Sequence, residues 1–206
     1  MQTLHHGIES YLETNWTSPV QFNIGNSYGW YTIINEPMYE IRLSDNVYKV
    51  QSGKLLLKNF PATSHPQSVQ AFTINYQPSY SLRISYTTLY ASRRAISHDL
   101  FRRSDWVKDN LPTNDQWEAL YTPVWAPNQW VSNLFISKNF QMVTQNSKIN
   151  LRLTSSIRNL LNASIPSLIF EQSRYDYKNF SLQKFPPKYI YDLGRTYTIG
   201  LQVSML

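Results

Sequence analysis

Along most of this chain hydrophobic residues recur at every second position, the period of a strand with one apolar and one polar face. Val20, Phe22, Ile24, Tyr28 and Trp30 share one parity, and Gln21, Asn23, Gly25, Ser27 and Gly29 hold the other. Tyr80, Leu82, Ile84, Tyr86 and Tyr90 alternate with Ser81, Arg83, Ser85 and Thr87. Ile149, Leu151, Leu153 and Ile157 alternate with Asn150, Arg152, Thr154, Ser156 and Arg158. At the C-terminal end Tyr197, Ile199, Leu201, Val203 and Met205 alternate with Thr198, Gly200, Gln202 and Ser204. Weaker versions run through 7–16 (Ile8, Leu12, Trp16), 69–77 (Phe72, Ile74, Tyr76) and 129–140 (Trp130, Leu134, Ile136). The pattern predicts an all-β chain of seven strands with no convincing amphipathic helix.

The predicted connections alternate in length. Thr17-Ser18-Pro19, Gln77-Pro78-Ser79 and residues 141–147 are short, whereas 33–68, 92–128 and 160–190 are long. Connections beyond about 12–15 residues are uncommon in compact soluble domains. Short turns alternating with long loops are expected of an up-and-down transmembrane β-barrel, whose tilted strands need about 9–11 residues. A soluble sandwich shows turn signals roughly every 8–12 residues instead. The expected fold is therefore an antiparallel transmembrane barrel segment. Its long loops would be extracellular, and its first and last strands would both run toward periplasmic turns.

Composition narrows the chemistry. The 206 residues contain no cysteine, which excludes disulfides and thiolate sites. Charged residues make up 16% and aromatics 15%, a balance that excludes disorder. The net charge of +6 is scattered, apart from Arg93-Arg94 and Arg102-Arg103 in a predicted loop, so no nucleic-acid partner is expected. No apolar run approaches the roughly 20 residues of a membrane helix. The opening MQTLHHGIESYLE has neither the basic nor the apolar region of a signal peptide.

Gly25-Asn26-Ser27-Tyr28-Gly29 spells the G-x-S-x-G of a hydrolase nucleophile elbow. That elbow needs a sharp strand-to-helix turn, and the alternation continues straight through Ser27. No catalytic residue and no enzymatic activity are expected. His5 and His6 point to opposite faces of a strand, so no metal site is expected, nor any cofactor. Glu9 and Glu13 share the polar face, as do Arg83, Arg152 and Arg158 on theirs. The second long loop is the richest binding candidate, because loops on rigid scaffolds often carry recognition. Its Arg102, Arg103, Trp106, Trp117, Tyr121 and Trp125 suggest an aromatic and cationic rim for a ligand. The competing expectation is that these aromatics pack the loop on itself or join an interfacial girdle. The sequons at Asn15, Asn162 and Asn179 would be chance matches if the host is a bacterium, as a transmembrane barrel implies.

Several motifs fall in a telling order: His6-Gly7-Ile8-Glu9, His65-Pro66-Gln67, Arg102-Arg103-Ser104-Asp105, Asn159-Leu160-Leu161-Asn162, Phe185-Pro186-Pro187-Lys188-Tyr189 and Gly194-Arg195-Thr196-Tyr197. In that order the chain resembles the C-terminal part of TonB-dependent outer-membrane receptors, in the subgroup with a carboxypeptidase-like N-terminal extension. The likeness is strongest from Ile149 to Leu206. It implies about seven strands of a barrel of about 22 around a plug, with residues 1–206 forming one incomplete domain. Plug and signal peptide would lie outside it. The implied function is the barrel wall and extracellular loops of a nutrient transporter in a Gram-negative outer membrane. The implied partners are the remaining strands and plug (or a companion chain), the TonB complex through the missing N-terminal part, outer-membrane lipid, and an unknown solute. Arg83, Arg152 and Arg158 would then hold the plug through charged hydrogen bonds or guide solute. Such barrels usually end on an aromatic in phase with the lipid face, whereas here Met205 is in phase and Leu206 follows out of phase. The alternative reading is a soluble β-sheet carbohydrate-binding module using its tryptophans.

Overall fold

The structure, a computed structural model, describes residues 1–14, 19–42, 49–62, 65–143, 148–174, 176, 181 and 183–205. Asn15, Trp16, Thr17, Ser18, Asn179 and Leu206 lie outside the described residues, as does part of the 141–147 connection. In chain order the strands are β1 (Thr3–Glu13), β2 (Val20–Ile33), β3 (Met38–Arg42), β4 (Lys49–Lys54), β5 (Ser68–Ser79), β6 (Leu82–Ser92), β7 (Gln129–Val143), β8 (Lys148–Arg158), β9 (Pro166–Phe170), β10 (Lys188–Tyr191) and β11 (Thr196–Met205). Between β6 and β7 a 3₁₀ turn (Phe101–Arg103) leads to two helices, α1 (Asp105–Asn110) and α2 (Asn114–Tyr121).

All seven predicted strands are present, with shifted ends; the first lies at Thr3–Glu13 instead of 7–16. They form one antiparallel sheet in the order β1-β2-β5-β6-β7-β8-β11. The hairpins β3–β4 and β9–β10 are additions within the first and third long connections. Strands β1 and β11 are the two edges, so among the described residues the sheet is open and does not close into a barrel.

Its register keeps the two faces separate across all seven strands. One lateral row runs Phe22, Ile74, Tyr86, Leu134, Ile157 and Tyr197. The adjacent row carries Asn23, Thr73, Thr87 and Asn133. A one-residue slip along a pairing would invert a whole strand; among the described residues the main sheet shifts register only at the turn end of β5–β6, between Tyr76 and Ser79. The row also reveals a stagger. Phe22 lies near the turn end of β2, yet Tyr197 lies at the loop end of β11. Progressive offset of this kind accompanies strand tilt in barrel walls.

A single sheet layer cannot bury its own apolar face, which needs a second layer to cover it. Ile8, Leu12, Leu153, Ile199, Leu201 and Val203 are all exposed. Apart from Ile33 at the loop end of β2 and Ala91 near the loop end of β6, the buried hydrophobic residues sit among the long connections. Ile33, Leu57 and Phe60 form one cluster; Ile96, Ala126 and Ile169 form a second; Val107 and Leu120 form a third. Helices α1 and α2 supply the third cluster, a correction to the helix-free expectation. Each is capped: the Ser104 hydroxyl accepts from the Val107 N–H at 3.3 Å, and Thr113 accepts from the Gln116 N–H at 3.4 Å. Ser and Thr favour that position. At 6 and 8 residues the helices are too short for an apolar stripe to stand out from the sequence.

Candidate functional site

The three long connections meet at Arg103. Its side chain is fully buried and ion-paired with Glu171, itself 6% exposed. Nη2 donates to Glu171 Oε1 at 2.7 Å, while Nη1 donates to Glu171 Oε2 and to the Asp99 carbonyl. The Asp99 N–H donates to Glu171 Oε2 at 2.9 Å. On the other side the guanidinium stands 5.2 Å from the Phe60 ring, and the Arg103 carbonyl accepts from the Leu56 N–H at 2.7 Å. One arginine thus joins the first, second and third connections into a cap at the loop end of the sheet.

Arg102 is also buried, and its Nη2 donates to the carbonyls of Gln172 and Arg174. Both arginines were expected on an exposed ligand rim, and both are interior struts. Their partners lie about 70 positions away, beyond the reach of any local pattern. Glu171, His98 and Asp99 complete the contacts of the cap, and no local pattern in the sequence singles them out.

His98 adds a titratable group. Its Nε2 accepts from the Val124 N–H at 3.0 Å, which places the neutral ring's proton on Nδ1. Burial pushes its pKa down to about 4, the Arg103 charge acts the same way, and Glu171 partly opposes them. For Glu171 burial acts upward, but hydrogen bonds and charge from Arg103, with the Asp99 N–H and His98, hold it below the usual carboxylate range.

The aromatic residues predicted as one rim occupy three places. Trp106 stacks on Phe101 at 5.9 Å, and Phe101 meets Tyr39 edge-on. Trp117 stacks on Tyr121 with Lys108 Nζ 5.9 Å from its ring, and the Tyr121 hydroxyl donates to the Lys58 carbonyl. Trp125 lies beside Arg93, which also donates to the Tyr28 hydroxyl at 3.1 Å. Tyr28 contacts Trp30 edge-on, and Trp30 stacks on His6. Trp125 therefore belongs to an aromatic collar at the loop end of the apolar face. Trp106 and Trp125 stay exposed, whereas Trp117 and Tyr121 are half-buried in the cap.

On the polar face, the Arg83 guanidinium donates to Asn75 Oδ1 at 3.3 Å, and Arg152 Nε donates to Asn139 Oδ1 at 2.9 Å. Both line one cleft of about 310 Å³ at the turn end. Arg158 shares their face and lines a different cleft at the loop end, of about 450 Å³, together with Asp192. Glu9 accepts from the Ser27 hydroxyl at 3.4 Å, and Glu13 accepts from Gln21 and Tyr11. Ser27 stands mid-strand in β2, which runs on to Ile33 without an elbow. His5 contacts Tyr31 on one face while His6 contacts Trp30 on the other. Among the described residues no group of three potential ligands gathers to hold a metal.

Two of the sequence motifs meet in space. Asn159 and Asn162 both adopt positive φ, at 53°, a conformation that asparagine tolerates better than most residues. The Asn162 side chain accepts from the Arg195 N–H at 2.9 Å. The turn after β8 thereby receives the segment leading into β11. Compared with known protein families, characterised proteins and solved structures, the chain matches none.

Proposed function

We propose that this chain forms wall strands and outer loops of an outer-membrane transport barrel of the TonB-dependent receptor type. It would take part in uptake of a solute across that membrane. The observation that carries this reading is the sheet's two-faced register: seven consecutive strands expose apolar side chains on one side and polar ones on the other. A lipid-facing surface paired with a water-facing one accounts for both. The gathering of all three long connections at one end supports the same reading, as does the stagger of the strands. The open edges of β1 and β11 leave N–H and C=O groups that cost several kcal/mol each in hydrocarbon. Closure therefore needs strands from outside these residues, from the same receptor or a companion chain.

Because the chain lacks cysteine, single cysteines report each face cleanly. In isolated outer membranes, Thr198→Cys and Gln202→Cys should react with a water-soluble maleimide. Leu201→Cys and Val203→Cys should react only after denaturation. Equal labelling of all four in a chain recovered from the soluble fraction would overturn the proposal and favour the soluble carbohydrate-binding module.

A further inference from the structure

The charges on the polar face of the main sheet are segregated. Its carboxylates, Glu9 and Glu13, both stand on β1. From β2 to β11 every Lys, Arg, Asp or Glu on that face is basic: Arg83 on β6, and Lys148, Arg152 and Arg158 on β8. Strand β7 lies between these two strands. It contributes Ser137, which pairs with both Arg83 and Thr154, and Asn139, which pairs with Arg152.

We propose that the cleft between Arg83 and Arg152 is a binding site for a carboxylate group, either of a small solute or of an acidic polypeptide side chain. No carboxylate lines this cleft, and neither arginine forms an ion pair among the described residues. Each guanidinium is instead steadied by an asparagine carbonyl from a neighbouring strand. Asn75 is itself fixed, because Ser85 donates to the same oxygen at 2.6 Å. A guanidinium has five N–H donors, so one bond to asparagine orients it and leaves the others for a ligand. Arg83 and Arg152 thus present two oriented, un-neutralised forks over one cleft, the arrangement suited to planar anions. Ser137, in the same cleft, adds a hydroxyl donor, whereas the neighbouring Thr154 hydroxyl already donates to the Gly200 carbonyl at 3.2 Å. A second cleft of about 250 Å³ shares Arg152 and Asn139 and continues toward Gln202 and Ser204. A ligand longer than a single carboxylate would extend that way. Arg158 is excluded because Asp192 lines its cleft. The inference rests on the register and the side-chain geometry of the sheet, and it holds whether lipid or protein covers the apolar face.

The test uses the full chain, folded in zwitterionic detergent with arginine side chains ¹⁵N-labelled. Succinate and an uncharged-ended Gly-Asp-Gly-Asp-Gly peptide are titrated separately, with succinamide as the neutral control. The expected result is a saturable shift of the Arg83 and Arg152 Nε–H resonances by at least one carboxylate. Binding should weaken at least tenfold in Arg83→Gln/Arg152→Gln and fall as salt is raised. Saturation by succinate alone assigns the site to a small solute; saturation by the peptide alone assigns it to a polypeptide. Three results would overturn the proposal: no saturable shift with either carboxylate, equal response to succinamide, or unchanged binding in the double variant. Labelling that contradicts the membrane reading would leave this outcome untouched, so the two can fail separately.

Discussion

Arg103 and Glu171, 68 positions apart in the chain, form a buried bidentate ion pair that fastens the second long connection to the third. Removing one member of such a pair leaves an uncompensated buried charge, at about 3–5 kcal/mol. Arg103→Met should therefore unlock the cap while leaving the sheet ladder intact. Hydrogen exchange should accelerate across residues 93–128 and 160–174, with β5–β8 amides still protected. Replacing both partners, Arg103→Met with Glu171→Met, should recover most of that protection, because matched apolar groups avoid the desolvation penalty. A double variant as loose as the single one would show that geometry, and not charge burial, is what the pair supplies.

Acid should loosen the same cap. His98 has a folded pKa of about 4 against about 6.5 in an unfolded chain. Between those values the unfolded state binds the extra proton, so stability falls as pH drops from about 6.5 to 4. The contribution lost is on the order of 2–3 kcal/mol, since one pKa unit corresponds to about 1.4 kcal/mol and the ring is partly open to solvent. Protonation also breaks the bond that Nε2 accepts from Val124. Glu171, whose folded pKa is depressed, adds a further loss once pH falls below the ordinary carboxylate range. Proteolytic susceptibility of the cap, measured from pH 7.5 to 4, should rise with an early limb that disappears in His98→Gln. An identical profile in His98→Gln would remove the histidine from the account.

The sheet was legible because strand period and face polarity are local properties. Leu151, Arg152 and Leu153 declare opposite faces within three positions, and the register keeps every such declaration. The cap was not legible, because its contacts are long-range. Nothing near Arg103 in the sequence announces Glu171, and two adjacent arginines among tryptophans read as a surface. Helices α1 and α2 had local signals in Ser104 and Thr113, but a stretch read for period two passes over six- and eight-residue helices. On the polar face the common orientation of Arg83, Arg152 and Arg158 followed from parity. Their division into two clefts required the stagger between strands, which only pairing reveals.

Gly7 should be far less replaceable than Gly25. A Cβ on Gly7 would lie 2.6 Å from the Tyr28 carbonyl oxygen and 2.9 Å from Gly29 Cα, both backbone atoms unable to yield. At Gly25 the nearest atoms stand 3.9 and 4.0 Å away. Gly7→Ala should strain the β1–β2 ladder by roughly 1–3 kcal/mol, the usual range for overpacking. It should speed exchange of β1 amides, whereas Gly25→Ala should leave exchange within error. Equal tolerance of both changes would mean that β1 shifts freely against β2.

Leu201 distinguishes the two environments its face has been assigned. It is 69% exposed on β11, paired with Leu153 on the apolar side. If water covers that side, Leu201→Arg changes an exposed residue and should cost no more than about 0.5 kcal/mol. If lipid covers it, an arginine near the bilayer midplane should cost about 2–4 kcal/mol. Thr198 on the same strand pairs with Ser156 on the polar side, so Thr198→Arg should be tolerated in either case. The comparison is made by urea unfolding in isolated outer membranes, where strands from outside these residues can close the sheet, with the two variants alongside the parent. We expect Leu201→Arg to lower the midpoint strongly and Thr198→Arg to leave it nearly unchanged. Equal, small effects at both positions would place the apolar face in water or against another protein surface.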